Sequence, residues 1–285
     1  MSSPGSAATF CSPPERIGRD GALALRFQRR GATTVLSGCR STLPLQVMAP
    51  VGLDDPAAVV SILNPTGGLV GGDRLAIEVV AGAGAHACLT TPSATKVYRT
   101  GGEAAVQDVR IRLEPGATVE YVPDHTIPFA GSALRQTIAV EVGEGARLVL
   151  VDAFAAGRVG RGEAWRFDRL ESALLIEDAG GWLLRDRFVL RGDASWGSLG
   201  GTEGHPYFAT VVLIGVVADA RFESEVAALA SGGSGVRLGG GALPRGGYLV
   251  RGLARDAPGL TGAVEGIWSA ARRLLGAPPL ALRKT

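Results

Sequence analysis

Three segments of the chain repeat one pattern at intervals of roughly 30 residues, and this repeat limits the possible folds more than any other feature. Leu75, Ile77 and Val79 alternate with polar positions, Gly84-Ala85 breaks the run, and Ala87 and Leu89 alternate again up to Pro92. Val109, Ile111 and Leu113 lead through Gly116-Ala117 to Val119 and Tyr121, ending at Pro123. Ile138, Val140 and Val142 lead through Gly145-Ala146 to Leu148 and Leu150, ending at Asp152. A weaker fourth copy runs from Leu174 to Arg185 and turns at Gly180-Gly181. Alternation of period two marks a half-buried strand. The unit is therefore strand, glycine turn, strand, long loop. One such unit cannot bury its apolar face alone, so the copies must stack. Two architectures satisfy the spacing: a solenoid of stacked coils, or an antiparallel sandwich with evenly spaced hairpins.

The flanking segments extend this β-rich reading. Leu23, Leu25 and Phe27 fall on one face of a strand, and Thr33–Ser37 and Val59–Leu63 read as further strands. Pro44, Pro50 and Pro56, with Asp54-Asp55, mark loops between them. Near the C-terminus the period changes. Phe222, Val226 and Leu229 fit one helix face, and Leu260, Val264, Ile267, Trp268, Ala271, Leu274 and Leu275 form one helical stripe. The expected helices lie near 220–231 and 259–275. Pro258 stands at the second start, Arg272 and Arg273 in the last turn, and Gly276 beyond. The glycine-rich stretch Gly232–Gly247 between them reads as a mobile loop. Residues 1–18 are rich in Ser, Pro and Ala without an apolar core and read as a disordered leader, not a signal peptide. Residues 19–285 are then expected to form a single β-rich domain.

Charge and cysteine content narrow the function. The 29 basic and 27 acidic side chains nearly cancel, which gives no electrostatic footprint for nucleic acid or an anionic membrane. The longest apolar run, Tyr207–Ala218, falls short of the roughly 20 residues of a membrane helix. Cys11, Cys39 and Cys88 form no disulfide framework. A reducing, cytoplasmic location is the expectation.

The most distinctive stretch is Asn64-Pro65-Thr66-Gly67-Gly68-Leu69-Val70-Gly71-Gly72-Asp73-Arg74-Leu75. It lies between two strand patterns. Asn-Pro-x-Gly suits a type I turn, and Gly67, Gly68, Gly71 and Gly72 let backbone approach another strand or a ligand closely. It is not a phosphate loop, because Asp73-Arg74 stands where Lys-Ser/Thr is required and no helix follows.

Catalytic signatures are absent. No serine has a nucleophile-elbow context. The paired carboxylates Asp54/Asp55 and Glu223/Glu225 suit solvated positions. His86 and Cys88 share one strand face as a potential soft metal pair, but zinc or nickel would need further ligands. His125, beside Asp124 in a loop, can bind metal transiently or simply be solvated. Lys96 is one of two lysines in an arginine-rich chain, with Tyr98 on its face and Thr90, Thr91, Ser93 and Thr95 before it. It reads either as a required compact cation or as a strand-end partner of a carboxylate. Asp73 and Glu163 each follow glycine. Each reads as a loop-capping acceptor or as an acidic group that passes on a divalent cation.

The glycine-rich stretch also contains a Pro-x-Gly-Gly-x-x-x-Gly-Asp block. It resembles the signature of urease accessory proteins of the D type, called H in some bacteria. The resemblance continues in order through Thr90-Thr91-Pro92-Ser93-Ala94-Thr95-Lys96-Val97-Tyr98-Arg99, Glu120-Tyr121-Val122-Pro123 with Ile127-Pro128-Phe129, and Gly160-Arg161-Gly162-Glu163. It implies a mainly β, β-helix-like stack of sheets made of two-strand units, with a short α-helical C-terminal part. It implies a non-enzymatic maturation factor that joins F-type and G-type accessory proteins and apo-urease. No cofactor would be tightly bound; Ni²⁺ would pass transiently, with Asp73, Glu163 and His125 as candidate stations. Gly67, Gly68, Gly71, Gly72, Lys96, Tyr98, Trp268, Arg272 and Arg273 are the candidate structural or interaction residues, with both arginines expected at a partner surface. The competing class is a β-helix carbohydrate-active enzyme with Asp73 and Glu163 as its acid–base pair. The low aromatic content counts against a sugar groove.

Overall fold

The computed structural model describes residues 19–48, 55–231 and 235–282. The expected leader, Cys11, Pro50 and Asp54 lie outside the described residues. The chain opens with β1 (Asp20–Arg30), which buries Leu23, Leu25 and Phe27 and turns back into antiparallel β2 (Thr33–Thr42). The short β3 (Gln46–Val47) pairs with β4 (Ala58–Leu63).

Three coils follow. The first contains β5 (Arg74–Ala81), β6 (His86–Thr90) and the short β7 (Thr95–Val97). The second contains β8 (Ala105–Leu113), β9 (Thr118–Val122) and β10 (Thr126–Pro128). The third contains β11 (Ala133–Val142) and β12 (Arg147–Ala155). Strands β5, β8 and β11 pair parallel and in step, as do β6, β9 and β12. The stacked-coil alternative is therefore the correct one. Each coil crosses between sheets at a four-residue turn, closed by Ala85 N–H to Gly82 O, Ala117 N–H to Glu114 O and Ala146 N–H to Gly143 O. The third residue of each turn is glycine at φ 64°, 68° and 62° (Gly84, Gly116, Gly145), a region that side chains disfavour.

The fourth copy does not become a coil. Strand β13 (Arg169–Asp178) stacks parallel on β11, but β14 (Gly181–Arg191) folds back antiparallel in the same sheet. Its run carries Arg185, Asp186 and Arg187, which suit an exposed edge and not the layer between sheets. The chain then crosses to β15 (Tyr207–Ile214), antiparallel to β12, and continues through α1 (Ala220–Leu229), β16 (Val236–Ala242), β17 (Tyr248–Ala254) and α2 (Ala257–Leu274). The glycine-rich segment expected to be a mobile loop is largely this β16–β17 hairpin, although residues 232–234 lie outside the described residues. Its glycines fit an edge strand under an aromatic ring: a Cβ at Gly240 would stand 2.8 Å from the Tyr248 ring.

The result has three layers. One sheet runs β14-β13-β11-β8-β5-β1-β2 and the other β16-β17-β15-β12-β9-β6-β4-β3, with β10 joined to β12 and β7. Inward Leu, Ile and Val side chains of both sheets form one core. The far face of the second sheet and the two helices form another, around Val149, Val151, Phe222 and Ile267. Strands β9 and β12 are covered on both faces: every residue of β9 is buried, Glu120 included, and β12 reads as a mostly apolar run. Asp219 and Asp256 cap the helices by accepting from Phe222 N–H (2.7 Å) and Gly259 N–H (2.8 Å).

A buried ionic network fastens α2 to the second sheet. Arg272 is fully buried and donates to Glu120 Oε1 (2.6 Å), to Asp55 Oδ2 (2.5 Å) and to Pro278 O (2.7 Å). Glu120 Oε1 also meets His86 Nε2 at 2.6 Å, and its Oε2 accepts from Trp268 Nε1 at 2.5 Å. Arg272 is thus not available at a partner surface as its place in the last helical turn suggested. Arg273 keeps some exposure but is paired with Asp219 (3.0 Å) and Glu225 (3.4 Å). Trp268 is 3% exposed and belongs to the core. His86 and Cys88 do share a face, with Cys88 buried opposite Glu120 in the strand register. Removing Arg272 strands two buried carboxylates. Arg272→Met is therefore expected to lower stability by about 3–5 kcal/mol in urea denaturation. A loss below about 1 kcal/mol would show that the network does not hold the helix.

Candidate functional site

All long loops of the coils lie at one end of the stack, and the glycine-rich stretch closes over them. Leu69 N–H donates to Lys96 O and Tyr98 N–H to Leu69 O, both at 2.8 Å, so the stretch bridges in parallel to the end of β7. The glycines let two backbones touch: a Cβ at Gly68 would stand 2.4 Å from Lys96 O, and one at Gly71 2.1 Å from Thr100 O. Gly67 and Gly72 have φ of 84° and 80°. Of the two partners that the glycines allowed, the structure supplies another segment of the chain. Tyr98 packs edge-on to Phe129, with ring centroids 5.2 Å apart.

The three expected metal stations occupy separate settings. Asp73 is 3% exposed, and its two oxygens accept Arg19 N–H and Val70 N–H, each at 2.9 Å. It ties the glycine-rich loop to the start of β1. Glu163 forms a two-bonded pair with Arg158 (2.7 and 2.6 Å), and these hydrogen bonds hold its carboxyl below the usual range. His125 Nδ1 lies 2.8 Å from Asp124 Oδ1. Among the described residues, no group of three or more His, Cys, Asp or Glu side chains is arranged to hold a metal ion.

A different set of polar residues converges between the sheets. Gln107, Gln136 and Ser172 occupy one register row across β8, β11 and β13. Gln107 Nε2 donates to Gln136 Oε1 (3.2 Å), Gln136 Nε2 to Asp152 Oδ1 (2.8 Å), and Ser172 Oγ to Asp152 Oδ2 (2.8 Å). Asp152 projects inward from β12, and β12 continues past it to Ala155 although the sequence pattern ended there. Gln107, Gln136 and Asp152, with Tyr121, line a cavity of about 150 Å³ that reaches the loop end at Thr91–Lys96 and Gly67-Gly68. Pro123, Asp124 and Ala153 line both this cavity and a second cleft under α2, where His125, Glu265 and Trp268 lie. Lys96 stands at the mouth, exposed, with no ion pair among the described residues.

Burial pushes the Asp152 carboxyl up to about 6; hydrogen bonds from Ser172 and Gln136 oppose the rise, and the charge of Asp186 adds to it. Burial and the Asp152 charge likewise raise Tyr121, which stays protonated. Asp152 is therefore ionised near pH 7 but held at a cost. In a fold so rich in Leu, Ile and Val, a buried amide or hydroxyl costs about 2–7 kcal/mol unless it is hydrogen-bonded, and an ionised carboxylate costs far more. Here each member is bonded to the next, and the chain of donors ends on one carboxylate. The arrangement can receive a small cation on oxygen ligands and release it again, because no closed cage surrounds it.

The comparisons agree with the motif reading. The family model described as UreD urease accessory protein matches residues 19–285. The urease accessory protein UreD of Alkalilimnicola ehrlichii is 36% identical over 283 residues, covering 97% of this chain and 94% of that protein. That of Deinococcus radiodurans is 36% identical, covering 97% of this chain and all of the relative. That of the archaeon Haloarcula marismortui is 34% identical over 94% of this chain and 91% of its own length. The stacked-coil fold, the ordered motif blocks and a match along nearly the whole chain have one conclusion: the chain belongs to the family of UreD urease accessory proteins.

Proposed function

We propose that this chain is a non-enzymatic scaffold in urease maturation, and that it passes Ni²⁺ to apo-urease through the space between its two sheets. Family membership supports the maturation role. The observation that carries the conduit is the hydrogen-bonded row Gln107–Gln136–Asp152–Ser172 inside an otherwise apolar core. The cavity it lines borders, at Asp124, on the cleft that holds His125, so polar groups extend from the loop end towards the far face of the second sheet. Oxygen ligands of a borderline cation hold it weakly enough for transfer. In this reading Asp152 is the main station and His125–Asp124 an exit. Asp73 and Glu163 keep the loops in place. The F-type and G-type accessory proteins and apo-urease are the proposed partners, and no helix of the described residues is long and apolar enough to cross a membrane.

The carbohydrate-enzyme reading finds less support. Acid–base glycoside chemistry needs two carboxyls that face one groove. Asp73 is buried on backbone donors and Glu163 is taken up by Arg158, and neither lines the cavity.

Asp152→Asn tests the conduit, because it keeps the shape and removes the charge. A carboxyl raised in the folded state lowers stability as pH climbs from about 4 to about 6, and the loss persists above that range. The difference corresponds to roughly 3 kcal/mol. The variant is therefore expected to be as stable as the parent, or up to about 3 kcal/mol more stable, above pH 6, with a flatter pH profile below. Co-expressed with the urease genes, it should still join the accessory complex while the nickel content of urease falls several-fold. Full nickel loading with this variant would remove Asp152 from the path.

A further inference from the structure

We propose that the loop end of the stack is a docking surface for a carboxylate-rich patch on a protein partner. At the tight-turn end the acidic groups are matched by arginines: Glu114 faces Arg26 (3.8 Å) and Asp178 pairs with Arg245 (2.9 Å). At the loop end, successive coils place arginines side by side. Thr100 N–H donates to Gly131 O (3.1 Å) and Gly131 N–H to Arg166 O (2.8 Å), so three coils are joined in one short ladder. The Arg99 side chain lies over Gly131, where a Cβ would stand 2.9 Å from its Nε. Arg158 stacks on Phe129 at 4.3 Å and holds Glu163, near which Arg161 also acts.

Arg99, Arg161 and Arg166 are exposed, and among the described residues none of them forms an ion pair within hydrogen-bonding reach. With Arg158 they set four guanidinium groups against the carboxylates of Glu163 and Asp168. Beside them lie the half-buried rings of Tyr98 and Phe129. Arginine with aromatic neighbours is the composition of protein interface anchors, and the guanidinium fork matches a carboxylate through two parallel bonds. Interspersed carboxylates suit a folded protein surface of mixed charge better than a polyphosphate backbone. Lys96, the exposed cation at the cavity mouth, also repels a free divalent ion. That the partner belongs to the urease maturation assembly rests on the reading above; the surface itself does not.

The test is the double reversal Arg99→Glu with Arg166→Glu in the full chain, with Arg99→Gln/Arg166→Gln as a milder version. Arg110→Glu, on the solvent face of the first sheet, is the control. The probes are a labelled oligoglutamate peptide, purified apo-urease and the purified F-type accessory protein. The parent should bind oligoglutamate and at least one of the two proteins, with affinity that falls as salt rises. Both double variants should bind about tenfold or more weakly at low salt, and the control should match the parent. Unchanged binding by folded double variants would overturn the surface. So would tighter binding of the parent to duplex DNA or to phosphatidylglycerol vesicles than to oligoglutamate. If the parent binds oligoglutamate but neither urease nor the accessory protein, the partner assignment fails and the docking surface stands.

Discussion

Parallel, in-step pairing of the coils is the constraint on which this structure depends. Each strand of one coil lies on its counterpart in the next, so residues at equal positions in the repeat become neighbours about 4.8 Å apart. A sequence period is thereby converted into rows in space. Most rows are apolar and form the core between the sheets. One row is polar, at Gln107, Gln136 and Ser172, and it meets Asp152 from the opposite sheet. Another runs along the loop end through Thr100, Gly131 and Arg166. The proposed conduit and the proposed docking surface both depend on this register. A one-residue slip would turn the polar row outward and drive its neighbours into the core.

The rigid stack also explains the uneven distribution of glycine. At the tight-turn end, glycine recurs because the chain must reverse in four residues with positive φ at the third. At the loop end, Gly68 and Gly71 are required because the stretch before β5 lies directly on the backbone of β7 and of the residues after it. Asp73 then fastens this stretch to β1 through two backbone donors. The most distinctive motif of the chain thus closes one end of the sandwich and shapes the mouth of the cavity.

Much of the fold was legible because rows leave a period in the sequence. The alternation of Leu75/Ile77/Val79, Val109/Ile111/Leu113 and Ile138/Val140/Val142 is the buried side of the first sheet. The stripe from Leu260 to Leu275 is the buried side of α2. Three features were hidden. The β16–β17 hairpin read as a loop because its run Gly239-Gly240-Gly241 carries no hydrophobic pattern. Arg272 read as a partner-surface residue because nothing in a helix period shows that buried carboxylates of another layer reach it. Asp152 read as the end of a strand because a carboxylate usually marks one. A signal for the polar row did exist: aligned by their alternation, the repeats place Leu75, Gln107, Gln136 and Ser172 at one inward position. The change from leucine to amide, amide and hydroxyl along that position is the trace of the cavity.

The central claim is that this polar row receives a cation that the chain then gives up. Titration of the ¹⁵N-labelled protein with substoichiometric Ni²⁺ tests it most directly, because the paramagnetic ion broadens the resonances of nearby nuclei. The account predicts selective, reversible broadening of Gln107, Tyr121, Gln136 and Asp152, weakened at pH values well below 6, where Asp152 takes up its proton. Broadening confined to His125 or to exposed carboxylates, with the inter-sheet residues unaffected at pH 7, would contradict it.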